Sequence, residues 1–224
     1  MFGELFNNPL GFLLWAVALV VAITIHEFAH AWSADRLGDP TPSLQGRLTL
    51  NPLTHLDPVG TIMMLLVGFG WGKPVQFDPF NLRHPRRDAA IISLAGPVSN
   101  LILATICSLV LHLLFSTRLA LWEIGGIGVI GFFVAGFLKT LITLNIILAI
   151  FNLVPIHPLD GFKIVGGILP EDKAREWYQL ERYGMIFLLF LLFPIFGGTA
   201  PIVQIISPII SFVLSILLPQ AGFI

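Results

Sequence analysis

The chain has a single cysteine, Cys107, among its 224 residues, which excludes an internal disulfide and any cysteine-built zinc cage. Charge is scarce as well. Asp, Glu, Lys and Arg together make up 11%, against about 25% in ordinary globular chains. Lys and Arg number 12 and Asp and Glu 13, a net charge of −1, so there is neither a basic field for nucleic acid nor an acidic tail. No internal repeat and no low-complexity tract is visible. The segment Met1 to Asn8 contains Glu4 but no Lys or Arg. That is the wrong flank for a cleavable signal peptide, and the apolar run behind it is too long for one, so it is expected to stay as a membrane span.

Apolar residues are what the chain has in excess, at 56%. A membrane-crossing helix needs about 20 consecutive, mostly apolar residues. Three stretches qualify: Leu10 to Ala34, Ala89 to Phe115 and Gly125 to Phe151. From Tyr183 to Ile224 there is no charge, and Phe193-Pro194 with Gly197-Gly198-Thr199 break that tail, which reads as a helical hairpin over about residues 183–218. A shorter apolar run, Val59 to Phe69, lies between Pro58 and the Gly70-Trp71-Gly72 and Pro74 group. At that length a re-entrant segment is as natural as a span. The extended-looking pieces Leu44 to Leu50 and Lys73 to Phe77 read as a short β-hairpin. The expected fold is thus an all-α polytopic helical bundle with a re-entrant segment and that hairpin near the cytoplasmic face. It forms one membrane-embedded domain over residues 1–224, with its core at about 10–169.

Orientation follows from the cations. Arg36, Arg47, Lys73, Arg83, Arg86 and Arg87 lie between the first two long spans, and Lys163, Lys173, Arg175 and Arg182 follow the third. The link from Ser116 to Ile124 holds only Arg118. The positive-inside rule puts the two cation-rich regions in the cytoplasm, so the first span runs inward.

Near the inner end of that span stands His26-Glu27-Phe28-Ala29-His30, an H-E-x-x-H sequence. Spacing of i, i+4 brings two imidazoles to one helix face with their Cβ atoms about 5–6 Å apart. Two Zn–N bonds of about 2.0–2.1 Å can then meet at one ion. Glu27 is adjacent and free to act as a base on a metal-activated water. The plain alternative is a polar cluster packed inside a bundle. It has to explain two His and a Glu within a span, where ionisable groups are costly and usually functional. His26 lies about 24 Å along the helix from Leu10 at 1.5 Å per residue, inside the membrane. The metal reading is the stronger.

A catalytic zinc keeps three protein ligands and one open position. Asp160, in the run Asn152 to Gly161, is the best third candidate because it follows the inward-running third span and arrives on the side of the two His. A loop Asp before Gly is the ordinary alternative, weakened here by the apolar surroundings and by Pro155 and Pro158. The same parity requires Val59 to Phe69 to dip and return; a full crossing would leave Asp160 on the wrong side.

These residues resemble the site-2 protease family of intramembrane zinc metalloproteases. The resemblance rests on His26 to His30, Asn51-Pro52-Leu53-Thr54-His55-Leu56-Asp57-Pro58, Gly72-Lys73-Pro74-Val75, Ala95-Gly96-Pro97-Val98-Ser99-Asn100 and Asn152 to Gly161. It covers roughly residues 20–165 and looks like the compact subgroup without a PDZ or CBS domain. It implies that His26, His30 and Asp160 ligate one zinc ion per chain and that Glu27 is the general base. Asn152 would help bind substrate or stabilise the oxyanion. His157, three residues from Asp160, departs from the family pattern; it would either orient the carboxylate or simply pack.

The expected activity is hydrolysis of peptide bonds in or near transmembrane helices. The partners are a transmembrane protein substrate and the lipid bilayer, with no nucleic acid, and the location is the plasma membrane with the site towards the cytoplasm. Two other readings compete. A metal transporter would also place His and Asp in the membrane, but it usually shows repeats and needs no glutamate beside the ligands. An inactive helix-binding relative would have no reason to keep Glu27 with all three ligands.

Overall fold

The computed structural model describes residues 7–67, 70–116, 125–194 and 197–219. Nine α-helices lie among them: α1 (Pro9–Arg36), α2 (Thr41–Leu44), α3 (Pro58–Val67), α4 (Pro85–Ser116), α5 (Gly125–Asn152), α6 (Asp160–Ile168), α7 (Glu171–Gln179), α8 (Glu181–Leu192) and α9 (Pro201–Leu217). Three are long and apolar enough to cross a membrane, over Pro9–Arg36, Pro85–Phe115 and Ile130–Asn152. They match the three expected spans. The chain is an integral membrane protein.

Each helix starts and stops for local reasons. Asn8 caps α1 by accepting from Gly11 N at 3.0 Å, and Pro9 occupies the first turn, where its missing N–H costs nothing. Asp57 caps α3 by accepting from Gly60 N at 2.7 Å. The α5 helix stops at Asn152, ahead of Pro155 and Pro158. These two prolines can neither donate a helical hydrogen bond nor spare the preceding turn.

The core is where α1, α4 and α5 pack on one another. Along α1 the residues Ala18, Ala22, His26, His30 and Ala34 recur every four positions, and all are buried. Along α4 the buried set is Asp88, Ala89, Ile92, Ser93, Gly96, Pro97, Asn100, Ala104, Cys107, Ser108 and Leu111. Inside a bilayer apolar burial between helices yields little, since lipid is as apolar as leucine. Small residues instead let backbones approach until dispersion and interhelical hydrogen bonds hold them. The alanine row on α1 does this and leaves two places, at 26 and 30, for larger polar groups. Beyond the core, α6 packs on α4 and α9 packs on α5 and α8.

No β-strand forms among the described residues; a single antiparallel bridge joins Leu56 to Gly72. The expected hairpin is therefore absent there. Of its two pieces, Leu44 ends α2 and leads into turns, and Lys73 to Phe77 runs as irregular chain. Competition for acceptors explains the difference. The buried Arg47 guanidinium donates to the carbonyls of Thr54, Lys73 and Pro74, taking groups a strand partner would need. Pro74 adds a residue without an N–H inside the second piece. The apolar run Val59 to Phe69 becomes α3, ten residues and about 15 Å long, too short to span; Gly68 and Phe69 lie outside the described residues.

Candidate metal centre

His26 Nε2 and His30 Nε2 lie 3.0 Å apart. Asp160 Oδ2 lies 3.1 Å from the first and 3.3 Å from the second. All three ligand atoms thus fall within 4.8 Å of one another. The outer nitrogen of each ring is occupied: His30 Nδ1 meets the Ile92 carbonyl at 2.7 Å, and His26 Nδ1 meets Asn100 Oδ1 at 2.7 Å. A carbonyl only accepts, so His30 carries its proton on Nδ1 and points a lone pair from Nε2 into the cluster.

A metal fits this site on three grounds. Asp160 Oδ2 is buried with no hydrogen-bond partner, a costly state for a carboxylate oxygen unless something positive reaches it. The ligand set is two imidazoles and one carboxylate, the composition of a catalytic zinc that keeps a fourth position open. Each imidazole is also oriented from behind by an acceptor on α4, as metal-binding histidines generally are.

Asp160 reaches the two His because the chain turns sharply before it. Bonds from Val154 N to Phe151 O, Ile156 N to Val154 O and Leu159 N to Ile156 O close that turn. Asp160 is then the first residue of α6, and Gly161 behind it is obligatory on space: a Cβ there would stand 2.5 Å from the Val154 carbonyl oxygen. Phe162 anchors the helix. It stacks on Trp177 with centroids 5.1 Å apart, and its carbonyl accepts Trp177 Nε1 at 2.8 Å.

Glu27 sits half-buried beside the cluster, and its Oε2 accepts from Val75 N at 2.9 Å. The Lys73–Val75 segment is thereby held between Arg47, on its carbonyls, and Glu27, on its amide. Burial lowers the Arg47 pKa from its ordinary value while Glu27 works in the opposite sense. Asp39 ties the same loops together. Its carboxylate accepts from Thr41 N at 3.0 Å, Thr41 Oγ1 at 2.6 Å, Asn81 Nδ2 at 2.8 Å and Asp78 N at 2.7 Å. Burial acts to raise its pKa, and these donors overcome that and hold it below the ordinary value.

The residues singled out from the sequence fall into two groups. His26, His30 and Asp160 converge, with Glu27 next to them. Asn152 does not join them by any hydrogen bond: its Nδ2 donates to the Leu148 carbonyl at 2.9 Å, within its own helix. His157 faces Glu181, with Nδ1 3.7 Å from Oε1, and meets the edge of the Phe162 ring. Elsewhere, Asp57 is a helix cap. His55 is buried with Nε2 2.8 Å from the Thr49 carbonyl, and His112 bonds the Ser108 carbonyl on its own helix. Lys139 lies over the Phe115 ring at 5.6 Å. Three residues whose sequence positions gave no role matter here: Asn100 and Ile92, which hold the rings, and Gly96, where a Cβ would collide with both imidazoles.

Fold and site together define an integral membrane protein with a candidate metal centre of two histidines and one aspartate. The family model of peptidase family M50 matches residues 127–193, which contain Asp160 but not the histidine pair. "Putative zinc metalloprotease YwhC" of Bacillus subtilis is 42% identical over 175 residues, 78% of each chain. "Putative zinc metalloprotease Rip2" of Mycolicibacterium smegmatis is 30% identical over 193 residues, 81% of this chain and 67% of the relative. The Mycobacterium tuberculosis protein of the same name is 30% identical over 195 residues. No solved structure matches. The chain belongs to peptidase family M50, the site-2 protease family.

Proposed function

We propose that the chain is an intramembrane endopeptidase that holds one zinc ion on His26, His30 and Asp160 and cuts transmembrane protein substrates in or near their membrane helices. The observation that carries the reading is the meeting of these three ligand atoms at 3.0–3.3 Å, two of them on a span that also presents Glu27. The active site faces the cytoplasm of the plasma membrane, by the distribution of Lys and Arg. The α3 segment dips in and returns, a path supported by its length and by the Leu56–Gly72 bridge that closes the loop around it. The whole chain acts as one domain, with α8 and α9 as its C-terminal helical hairpin.

A zinc ion held there supplies a Lewis acid that polarises a carbonyl and acidifies a water. Glu27 does the proton work. With Oε2 held by Val75 N, Oε1 is free to take a proton from water and return it to the leaving amine. Asn152, once released from the Leu148 carbonyl, donates to the tetrahedral oxyanion. The row of alanines and the buried cluster keep bulk water from the histidines.

Glu27→Gln separates binding from chemistry. Wild type and variant, purified in detergent, should each carry one zinc per chain, and only the wild type should cleave a single-span reporter, losing that activity to a chelator. Full cleavage by Glu27→Gln would remove Glu27 from this role.

A further inference from the structure

Asn100 lies where three spans meet, and its amide has no freedom of orientation. Its Nδ2 donates to the Ala22 carbonyl at 3.0 Å and to Asn145 Oδ1 at 2.7 Å. A carbonyl can only accept, so the contact with Ala22 requires the amide nitrogen on that side. Asn145 is pinned in the same way. Its Nδ2 donates to the Leu141 carbonyl at 2.8 Å, which turns its Oδ1 towards Asn100. The atom that Asn100 presents to His26 Nδ1, at 2.7 Å, is therefore the amide oxygen. An amide oxygen carries no proton, so Nδ1 must. The lone pair of His26 is left on Nε2, the atom that meets His30 and Asp160.

We propose that Asn100, backed by Asn145, is a positioning residue for the metal centre: a two-amide relay from α5 through α4 to α1 that fixes the tautomer and ring angle of His26. His30 needs no such device, because the Ile92 carbonyl serves as its acceptor directly. At His26 a side chain must do that work, and a lone amide could flip to present its nitrogen. Two backbone carbonyls, Leu141 and Ala22, prevent the flip. Both Asn100 and Asn145 are fully buried at 0% exposure. Polar side chains at such depth in a bundle are rare without a functional reason, and nothing else in the proposed chemistry uses them.

The inference rests on His26, His30 and Asp160 being the zinc site, and the experiment keeps the two apart. Zinc affinity is measured on the full chain in detergent by competition with a chromophoric chelator, for wild type, Asn100→Ala, Asn100→Asp and Asn145→Ala. Losing an outer partner of a metal-bound histidine typically costs about 10–100-fold in affinity, and Asn100→Ala is expected in that range. Asn100→Asp still accepts from Nδ1–H and should recover most of the loss, although it gives up both donor bonds. A purely packing role predicts the reverse: Asn100→Asp would be as damaging as Asn100→Ala or worse, and that result overturns the proposal. Unchanged affinity in Asn100→Ala overturns it too, and unchanged affinity in Asn145→Ala removes Asn145 from the relay. Should Asn100→Ala fail to fold, nitrogen-15 NMR of the imidazoles in zinc-free wild type decides. A proton on His26 Nδ1 supports the relay, and a bare Nδ1 overturns it. Absence of zinc from the wild type would instead refute the zinc reading, with the NMR result still judging the tautomer.

Discussion

Gly96→Ala tests the metal centre with the smallest possible change. A Cβ at Gly96 would stand 2.6 Å from His26 Cε1 and 2.6 Å from His30 Cε1, and closer still to His30 Nε2. Ordinary van der Waals contact begins at 3.4 Å, so either α4 or both rings must retreat by nearly an ångström. Overpacking of this kind costs about 1–3 kcal/mol of stability. The effect on metal binding is larger, because ligand distances must hold to about ±0.2 Å. The displaced atoms belong to the proposed ligands, so affinity should fall by at least the roughly 100-fold that loss of an outer partner can cost. Chelator competition on the purified variant measures the loss, and a thermal melt of the zinc-free protein reports folding separately. Gly136→Ala is the control: it also lies within a span, and a Cβ there meets nothing within 4 Å, so zinc binding should be unaltered. Wild-type affinity in Gly96→Ala would refute the placement of both imidazoles against α4.

Three further outcomes follow from other parts of the structure. Cysteines placed at Asp57 and Asp78 should react with an impermeant thiol reagent from the same side of the membrane, in the cysteine-free Cys107→Ala background; labelling from opposite sides would sink the dipping path of α3. Asp39→Asn should lower stability by about 1–3 kcal/mol near neutral pH, since Asp78 N loses its acceptor in a buried cluster. The Asp39 pKa is lowered by folding from 3.8. Its contribution is therefore complete above that value and is lost as pH falls through the lower folded value. The gap between wild type and Asp39→Asn, followed by melts of zinc-free protein, should stay constant from pH 7 to 5 and close below about 3.8; a gap constant down to pH 2 would refute the account. Gly161→Ala should displace Asp160, because its Cβ would meet the Leu153 and Val154 carbonyls. The expected readout is a zinc affinity at least about 10-fold weaker by chelator competition, and an unchanged affinity would count against the tight turn.

What could be read from sequence was whatever a helix repeat or a span count carries. Two histidines four apart must share a face, and the parity of the spans brings Asp160 to their side, so the three converging residues are legible in the sequence. Their supports were not. Asn100 is 74 positions from His26 and Ile92 is 62 from His30; only the packing of α4 on α1 makes them neighbours. The expected hairpin failed for a related reason: nothing local in Leu44 to Phe77 reveals that Arg47 will take the Lys73 and Pro74 carbonyls. The ordinary reading of Asp160-Gly161 as a turn pair also gives way, since Asp160 opens a helix and Gly161 is required by contact with the preceding turn.

These supports share one physical logic. A bilayer leaves no water to solvate a buried polar group, so each one must find its partner in the protein. Around the proposed metal, the partners come from residues 45 to 78 positions away, or from carbonyls already fixed in helices. The alanines at 18, 22 and 34 bring α4 and α5 close enough for those partners to reach. Close packing and ligand orientation are thus set by the same helix faces. A change that loosens the alanine row, such as Ala22→Leu, should move Asn100 as well as the helix, and so weaken zinc binding without touching any ligand. If Ala22→Leu kept wild-type zinc affinity in a folded protein, the coupling between helix approach and ligand geometry would not exist.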